Sequence, residues 1–302
     1  MRLIFAGTPA IAAQALRKLS AVHEVALVIT REDAPVGRKQ ILTPSPVAQV
    51  ADELGLPVEK TTNLSNRLEA LKSVEADLAV VVAFGALVPK VALDLFPWWN
   101  IHYSLLPAWR GATPLQHSMM NDQGIGITIF ELEHGLDTGP IISSKPMEFA
   151  PTETAGEALI RFTDVATNLL LDSLAKLPSA TAQQGASSHA PKLSRNSARV
   201  DFEFPADRLA RQINAMNPEP AAWTTLSGQP VKLLRAKSLG QVDWQTIDAF
   251  GEPGELWLSE SRALLGCGEG TRLELLEIQP AGKKPMKAVD FIRGQQGAVK
   301  FV

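Results

Sequence analysis

The stretch A-D-L-A-V-V-V-A-F, Ala76 to Phe84, reads as a strand with apolar side chains on both faces. A strand with one face in water would alternate polar and apolar residues. A continuous β-branched run suits the centre of a parallel sheet covered by helices on both sides. Towards the N-terminus, Arg2–Ala6 is another apolar run, closed by Gly7, and Ile11–Leu19 then has helix-like apolar spacing. Glu24–Thr30 (E-V-A-L-V-I-T) is a further strand, and Ser45 to Leu54 reads as a helix with Ser45 as N-cap and Pro46 at its first position. Thr154 to Leu174 is a long helical segment able to close the domain. Strands alternating with helices predict a doubly wound, Rossmann-like α/β domain over residues 1–178. The A-G-T-P turn at Gly7 lacks the G-x-G-x-x-G spacing and reads as the tight turn of the first strand–helix unit.

Composition shifts after Ser173 to small polar residues without periodicity, which predicts a linker over residues 179–199. Beyond it, Pro205–Met216 predicts a helix with Leu209, Ile213 and Met216 on one face. Short strand-like runs follow at Val231–Leu234, Glu255–Leu258, Ala263–Leu265, Arg272–Ile278 and Ala298–Val302. Short strands between Gly-rich turns suggest a small β-barrel or sandwich over residues 200–302.

At 302 residues and 45% hydrophobic the chain can bury one large core or two ordinary ones. No apolar run approaches the roughly 20 residues that span a bilayer, and the N-terminal apolar run is too short for a signal peptide. The single cysteine, Cys267, excludes an intramolecular disulfide and suits a reducing cytoplasm. The net charge of −3 divides unevenly: residues 1–180 hold 14 Lys and Arg against 19 Asp and Glu, and residues 181–302 hold 15 against 13. The C-terminal part is therefore mildly basic, and a nucleic-acid partner would be met by local patches rather than by an overall field.

Asn100, His102 and Ser104 alternate at period two before Pro107, so a strand would carry all three on one face and then end in a shaped loop. A second candidate strand, Gly126 to Glu133, runs into G-L-D-T-G, where Asp137 sits between Gly135 and Gly139. Singly, these residues read as a polar strand end and as turn chemistry. Together they place a carboxylate in a glycine-flanked loop facing a histidine at the end of another strand. Such a pair can handle a proton or a developing negative charge. His117 and His134 have no Cys or His partner at metal-ligand spacing, and no metal is expected.

Asn-x-His, then Ser-Leu-Leu-Pro, then the Gly-x-Asp-x-Gly loop resemble the signature of the folate-dependent formyltransferases. The resemblance implies formyl transfer from 10-formyltetrahydrofolate, with Asn100, His102 and Asp137 as catalytic residues. It implies a folate site walled by Phe84, Gly85, Ala86 and Leu87, by the loop Ser104, Leu105, Leu106 and Pro107, and by Leu132 through Asp137. Asn100 and His102 can both donate to an oxyanion, His102 more strongly when protonated, a form that a nearby Asp137 would favour.

Acceptors in this family include a purine precursor, amino sugars on nucleotides, and methionine on initiator tRNA. The loop Arg31 to Val47, with Arg38 and Lys39, resembles the branch acting on initiator tRNA in translation initiation. So do Ile213 to Trp223 (I-N-A-M-N-P-x-P-x-x-W) and Gln279 to Met286, which carries Lys283 and Lys284. The C-terminal domain is then expected to be an OB-like barrel that binds tRNA, on a cytoplasmic monomer. Ile11 stands where this branch has Phe near the methionyl group, Phe84 where Tyr is common, and Asn214, Met216 and Glu219 where Arg, Phe and Trp are expected. The alternatives are a sugar-nucleotide N-formyltransferase and a non-catalytic tRNA- or folate-binding module.

Overall fold

The computed structural model describes residues 1–37, 39–239 and 251–302. Arg38, which the loop reading singled out, lies outside the described residues. Internal contacts divide the chain into two units: Met1–Pro114 with Gly124–Met147 and Leu159–His189, and Leu115–Gln123 with Glu148–Ala158 and Ala190–Val302.

The strands of the first unit are β1 (Arg2–Gly7), β2 (Glu24–Thr30), β3 (Ala34–Val36), β4 (Ile41–Thr43), β5 (Val58–Lys60), β6 (Leu78–Val82), β7 (Trp98–His102), β8 (Arg110–Gly111), β9 (Gly126–Glu131) and β10 (Ile141–Pro146). Seven form one sheet in the order β10-β9-β7-β6-β1-β2-β5. From β5 to β7 every pairing is parallel, and β9 and β10 then add an antiparallel edge. The run that begins at Ala76 becomes β6, whose five residues are all buried. Ile4, Ile29, Val81 and Trp98 share a core on one side of the sheet. Helix α1 (Ala10–Ser20) buries Ala12, Ala15, Leu16 and Leu19. Helix α2 (Pro46–Glu53) starts as the sequence indicates: Ser45 Oγ accepts the Ala48 N–H at 3.0 Å.

Two expectations change. The segment read as a loop between Arg31 and Val47 holds the antiparallel hairpin β3–β4. β7 ends at His102, so Ser104 is not on the strand. The Ser104 hydroxyl instead donates to the Ala108 carbonyl, while Leu105 N–H goes to Gly124 and Leu106 N–H to the Thr128 hydroxyl. With its backbone donors taken elsewhere, the chain leaves the ladder. The segment read as a linker is mostly exposed but tied down at points: Thr181 exchanges both backbone hydrogen bonds with Ile141, and Ser188 accepts from Arg110 N–H. The strap ends in β11 (His189–Ala190), which pairs with β8.

The second unit contains β12 (Ala222–Leu226), β13 (Gln229–Ser238), β14 (Glu255–Ser259), β15 (Arg262–Gly266), β16 (Arg272–Pro280), β17 (Met286–Lys287) and β18 (Val299–Lys300). They form an antiparallel sheet in the order β12-β13-β16-β15-β14-β18, with β17 on β16. Thr225 in β12 also exchanges both backbone hydrogen bonds with Val302, just past β18, at 3.1 and 3.0 Å. The helix Ala206–Ala215 puts Leu209 and Ile213 into the core, joined there by Met216. Asn214, which stands where the resemblance expects Arg, is an internal pin. Its amide donates to Ala236 O at 2.9 Å and its carbonyl accepts Ala236 N–H at 3.0 Å. Among the described residues no helix is long and apolar enough to cross a membrane.

Candidate active site

In an open parallel sheet, ligand sites form beyond the carboxyl ends of the strands, where loops diverge. A cavity of about 620 Å³ lies there in the first unit. It is lined by Ala83 to Val88 after β6, by Asn100 to Tyr103 at the end of β7, by Gly111, Ala112 and Pro114, and by Leu132 to Asp137 after β9. β9 is antiparallel to β7, so its last residues lie beside the start of β7, and Leu132 N–H bonds to Trp98 O. The following loop must fold back along β7 to bring Asp137 to His102. Gly139 permits this, because a Cβ there would collide with the Glu131 carbonyl.

His102 is 3% exposed and its Nδ1 lies 3.8 Å from Asp137 Oδ2. Its Nε2–H donates to the Trp109 carbonyl at 3.0 Å, and its ring stands edge-on to Phe130. The donor role at Nε2 leaves Nδ1 as the nitrogen that faces the carboxylate. Burial pulls the imidazole below its ordinary value, against the opposing pull of Asp137 and of the Trp109 hydrogen bond. Desolvation thus outweighs the neighbouring carboxylate, which favours the neutral ring over the charged form that Asp137 alone would promote.

Asp137 is 9% exposed, and its Oδ2 accepts the Gly111 N–H at 2.8 Å. Its φ of +51° is in the left-handed region, a strained setting that surrounding contacts must hold. Those contacts come from Gln183: its Nε2 donates to the carbonyls of Asp137 and Gly139, both at 2.8 Å. The half-buried Asn100 presents a carboxamide that makes no hydrogen bond among the described residues. Beside them, Tyr103 fixes the end of β7 to helix α6 (Ala155–Lys176, with α3 at Leu68–Lys72, α4 at Lys90–Leu93 and α5 at Pro114–Asn121 before it). Thr163 Oγ1 gives its proton to Leu159 O, so it must accept from the Tyr103 hydroxyl, 2.8 Å away. Burial pushes that phenol up to about 12, so it stays a neutral donor.

Of the residues expected at the folate wall, Phe84, Gly85, Ala86, Leu87, Leu132 and Asp137 line the cavity. Phe84 is almost fully buried, whereas Leu87 and Leu136 are 80% and 64% exposed and stand at the rim. Ser104, Leu105, Leu106 and Pro107 are not part of the lining; they build the turn behind β7. Ile11 is half-buried on α1 and also off the lining. Lys39 is exposed in the β3–β4 hairpin, and Lys283 and Lys284 are exposed in the turn after β16. Among the described residues no group of three or more His, Cys, Asp or Glu could hold a metal ion. Sequence reasoning missed Trp109, Gly111, Gln183 and Ser188. Two act through backbone atoms, and the other two sit in a polar stretch with no pattern to mark them.

Residues 1–174 match the family described as formyl transferase, and residues 192–296 match the formyl transferase C-terminal domain. Fold, site and matches thus define the class, an enzyme that moves a formyl group. A protein of Renibacterium salmoninarum named methionyl-tRNA formyltransferase is 42% identical over 304 residues, covering 97% of this chain and 96% of that one. The chain belongs to the methionyl-tRNA formyltransferase family. Solved structures that share its fold include two formyltransferases. The methionyl-tRNA formyltransferase from Clostridium thermocellum is 18% identical with a TM-score of 0.58, over 79% of this chain and 94% of that one. The N-formyltransferase from Helicobacter canadensis, in complex with folinic acid and dTDP-3-aminofucose, is 17% identical with a TM-score of 0.66, over 92% and 98%.

Proposed function

We propose that this chain transfers the formyl group of 10-formyltetrahydrofolate to the amino group of methionine on initiator tRNA, with Asn100, His102 and Asp137 at the reacting centre. Family membership supports the reaction. The observation that carries the residue assignment is the approach of His102 Nδ1 to Asp137 Oδ2, 3.8 Å, on a cavity wall shared with the Asn100 carboxamide.

Attack of the amine on the formyl carbon forms the new C–N bond and turns the carbonyl oxygen into an oxyanion. Collapse breaks the bond to the folate nitrogen. Asn100 donates to the oxyanion without changing its own ionisation, an interaction worth about 3–4 kcal/mol in comparable sites. Neutral His102 takes the amine's proton at Nδ1 and passes it to the departing nitrogen. Asp137 stabilises the imidazolium formed between those two events. Phe84 to Leu87, Leu132 and Leu136 supply the apolar slot for the folate ring, and Ser104 to Pro107 support it from behind.

Residues 1–178 carry formyl transfer in this reading, residues 179–199 connect, and residues 200–302 form an OB-like barrel for tRNA. The Thr225–Val302 pairing, which joins the last residue to the first strand of the sheet, supports the closed form. For RNA contact the reading draws on Arg38, Lys39, Lys283 and Lys284. Work on initiator tRNA puts the protein in the cytoplasm, and we take it as a monomer. The test is single-turnover transfer to methionine-charged initiator tRNA, run beside a nucleotide amino sugar. Rapid transfer to the tRNA alone is expected. Transfer to the sugar instead would overturn the acceptor, and inactivity on both would overturn the reaction.

A further inference from the structure

The strap that crosses the first unit does more than connect. Gln183 Oε1 accepts from Arg110 Nε at 3.1 Å and from Arg110 Nη2 at 2.7 Å, while its Nε2 donates to Asp137 O and Gly139 O. A glutamine suits this place because its planar carboxamide, a group only Asn and Gln carry, offers an acceptor for a guanidinium and two protons for two carbonyls. The opposite amide orientation would set N–H against guanidinium and oxygen against carbonyls, so the network fixes the assignment. Five residues further along the strap, Ser188 Oγ accepts the Trp109 N–H at 2.9 Å, and Ser188 O accepts the Arg110 N–H at 2.9 Å. The Trp109 carbonyl is the group that takes the His102 Nε2 proton.

We propose that Gln183 and Ser188 are positioning residues for formyl transfer. One strap fixes Asp137 through its loop carbonyls and His102 through the Trp109 peptide. The strap thereby sets the spacing of the pair from both sides, and Gln183 holds the left-handed backbone at Asp137, a conformation Asp tolerates better than most residues. The proposal rests on the reading of His102 and Asp137 as reacting groups, so Asp137→Ala serves as the reference variant. Gln183→Glu keeps the size and the acceptor for Arg110 but turns oxygen toward the two carbonyls. Ser188→Ala removes the acceptor for Trp109, and Ser188→Thr restores it.

Gln183→Glu and Gln183→Ala are expected to lower the single-turnover rate about tenfold or more, with KM for the folate donor within about twofold, because a misplaced group costs rate rather than binding. Ser188→Ala is expected to move the His102 ring resonances and the acid limb of the pH–rate profile, and Ser188→Thr to return both to the parent values. Rates for Gln183→Glu and Ser188→Ala within about twofold of parent, beside an inactive Asp137→Ala, would overturn the positioning role alone. A fully active Asp137→Ala would overturn the underlying reading instead.

Discussion

The end of β7 and the basic surface of the second unit use polar residues in opposite ways. At the first, His102 and Asp137 are buried, each is held by a backbone partner, and their separation is set by hydrogen bonds. At the second, the Arg195 and Arg199 guanidiniums stack over the half-buried ring of Trp223, at 5.0 and 5.8 Å, and Lys283 and Lys284 stand in solvent. Buried groups are costly to place and must be oriented, so they act by geometry. Exposed cations act by number and field, and each contributes little alone.

That contrast orders the effects of substitution. The largest belong to the buried pair: His102→Ala or Asp137→Ala should lower the single-turnover rate about 10²–10⁴-fold. Removing one general acid–base group costs that much when the rest of the site remains. A stopped-flow or quench measurement reads it directly. Next comes the pH profile. Burial lowers His102 and Asp137 raises it, so Asp137→Asn should move its titration further down in pH. Proton NMR of the imidazole is the check, and an upward move would mean that the carboxylate is not the opposing charge.

Substitutions on the basic face should be milder and of a different kind. Replacing Lys283 and Lys284 together by Ala should raise KM for charged tRNA several-fold and flatten its salt dependence by about two contacts, with the rate at saturation unchanged. A fall in the saturated rate with no change in salt slope would break the contrast. Asn214→Ala belongs with the core instead. Losing both bonds to Ala236 should cost about 1–3 kcal/mol of stability, measured by denaturant unfolding, with tRNA affinity unaffected.

The smallest expected effect is the Glu157–Arg235 pair in the second unit. The Arg235 hydrogen bond holds Glu157 down at about 2, against a partial opposing effect of burial. A lowered carboxylate stabilises the fold above its unfolded value of about 4.5 and loses that stabilisation as pH falls towards 2. The Glu157 side chain is 50% exposed, so solvent screening limits the contribution to about 1 kcal/mol. Arg235→Ala should therefore lower Tm slightly at pH 7 and hardly at all near pH 2.

The parallel core was legible because burial on both faces leaves a continuous apolar signature, as in β6, and because Ser45 and Pro46 announce their helix. The candidate pair was legible because strand period and glycine spacing are written locally around His102 and Asp137, which the fold brings within 3.8 Å of each other. Three things were not. The end of β7 depends on where backbone donors of Leu105 and Leu106 go, which distant residues decide. The ionisation of His102 depends on the depth of burial, which outweighs a carboxylate that the motif makes conspicuous. The strap carries its information in Gln183 and Ser188, single polar side chains whose partners lie more than forty residues away. A polar stretch without periodicity gives no sign of which members reach inward.

The most direct test of the reacting centre is the single-turnover rate of His102→Ala and Asp137→Ala with folate-donor binding measured on the same samples. The expected rate is at least about a hundredfold below parent, with donor affinity retained. Parent-like transfer by either variant would contradict it.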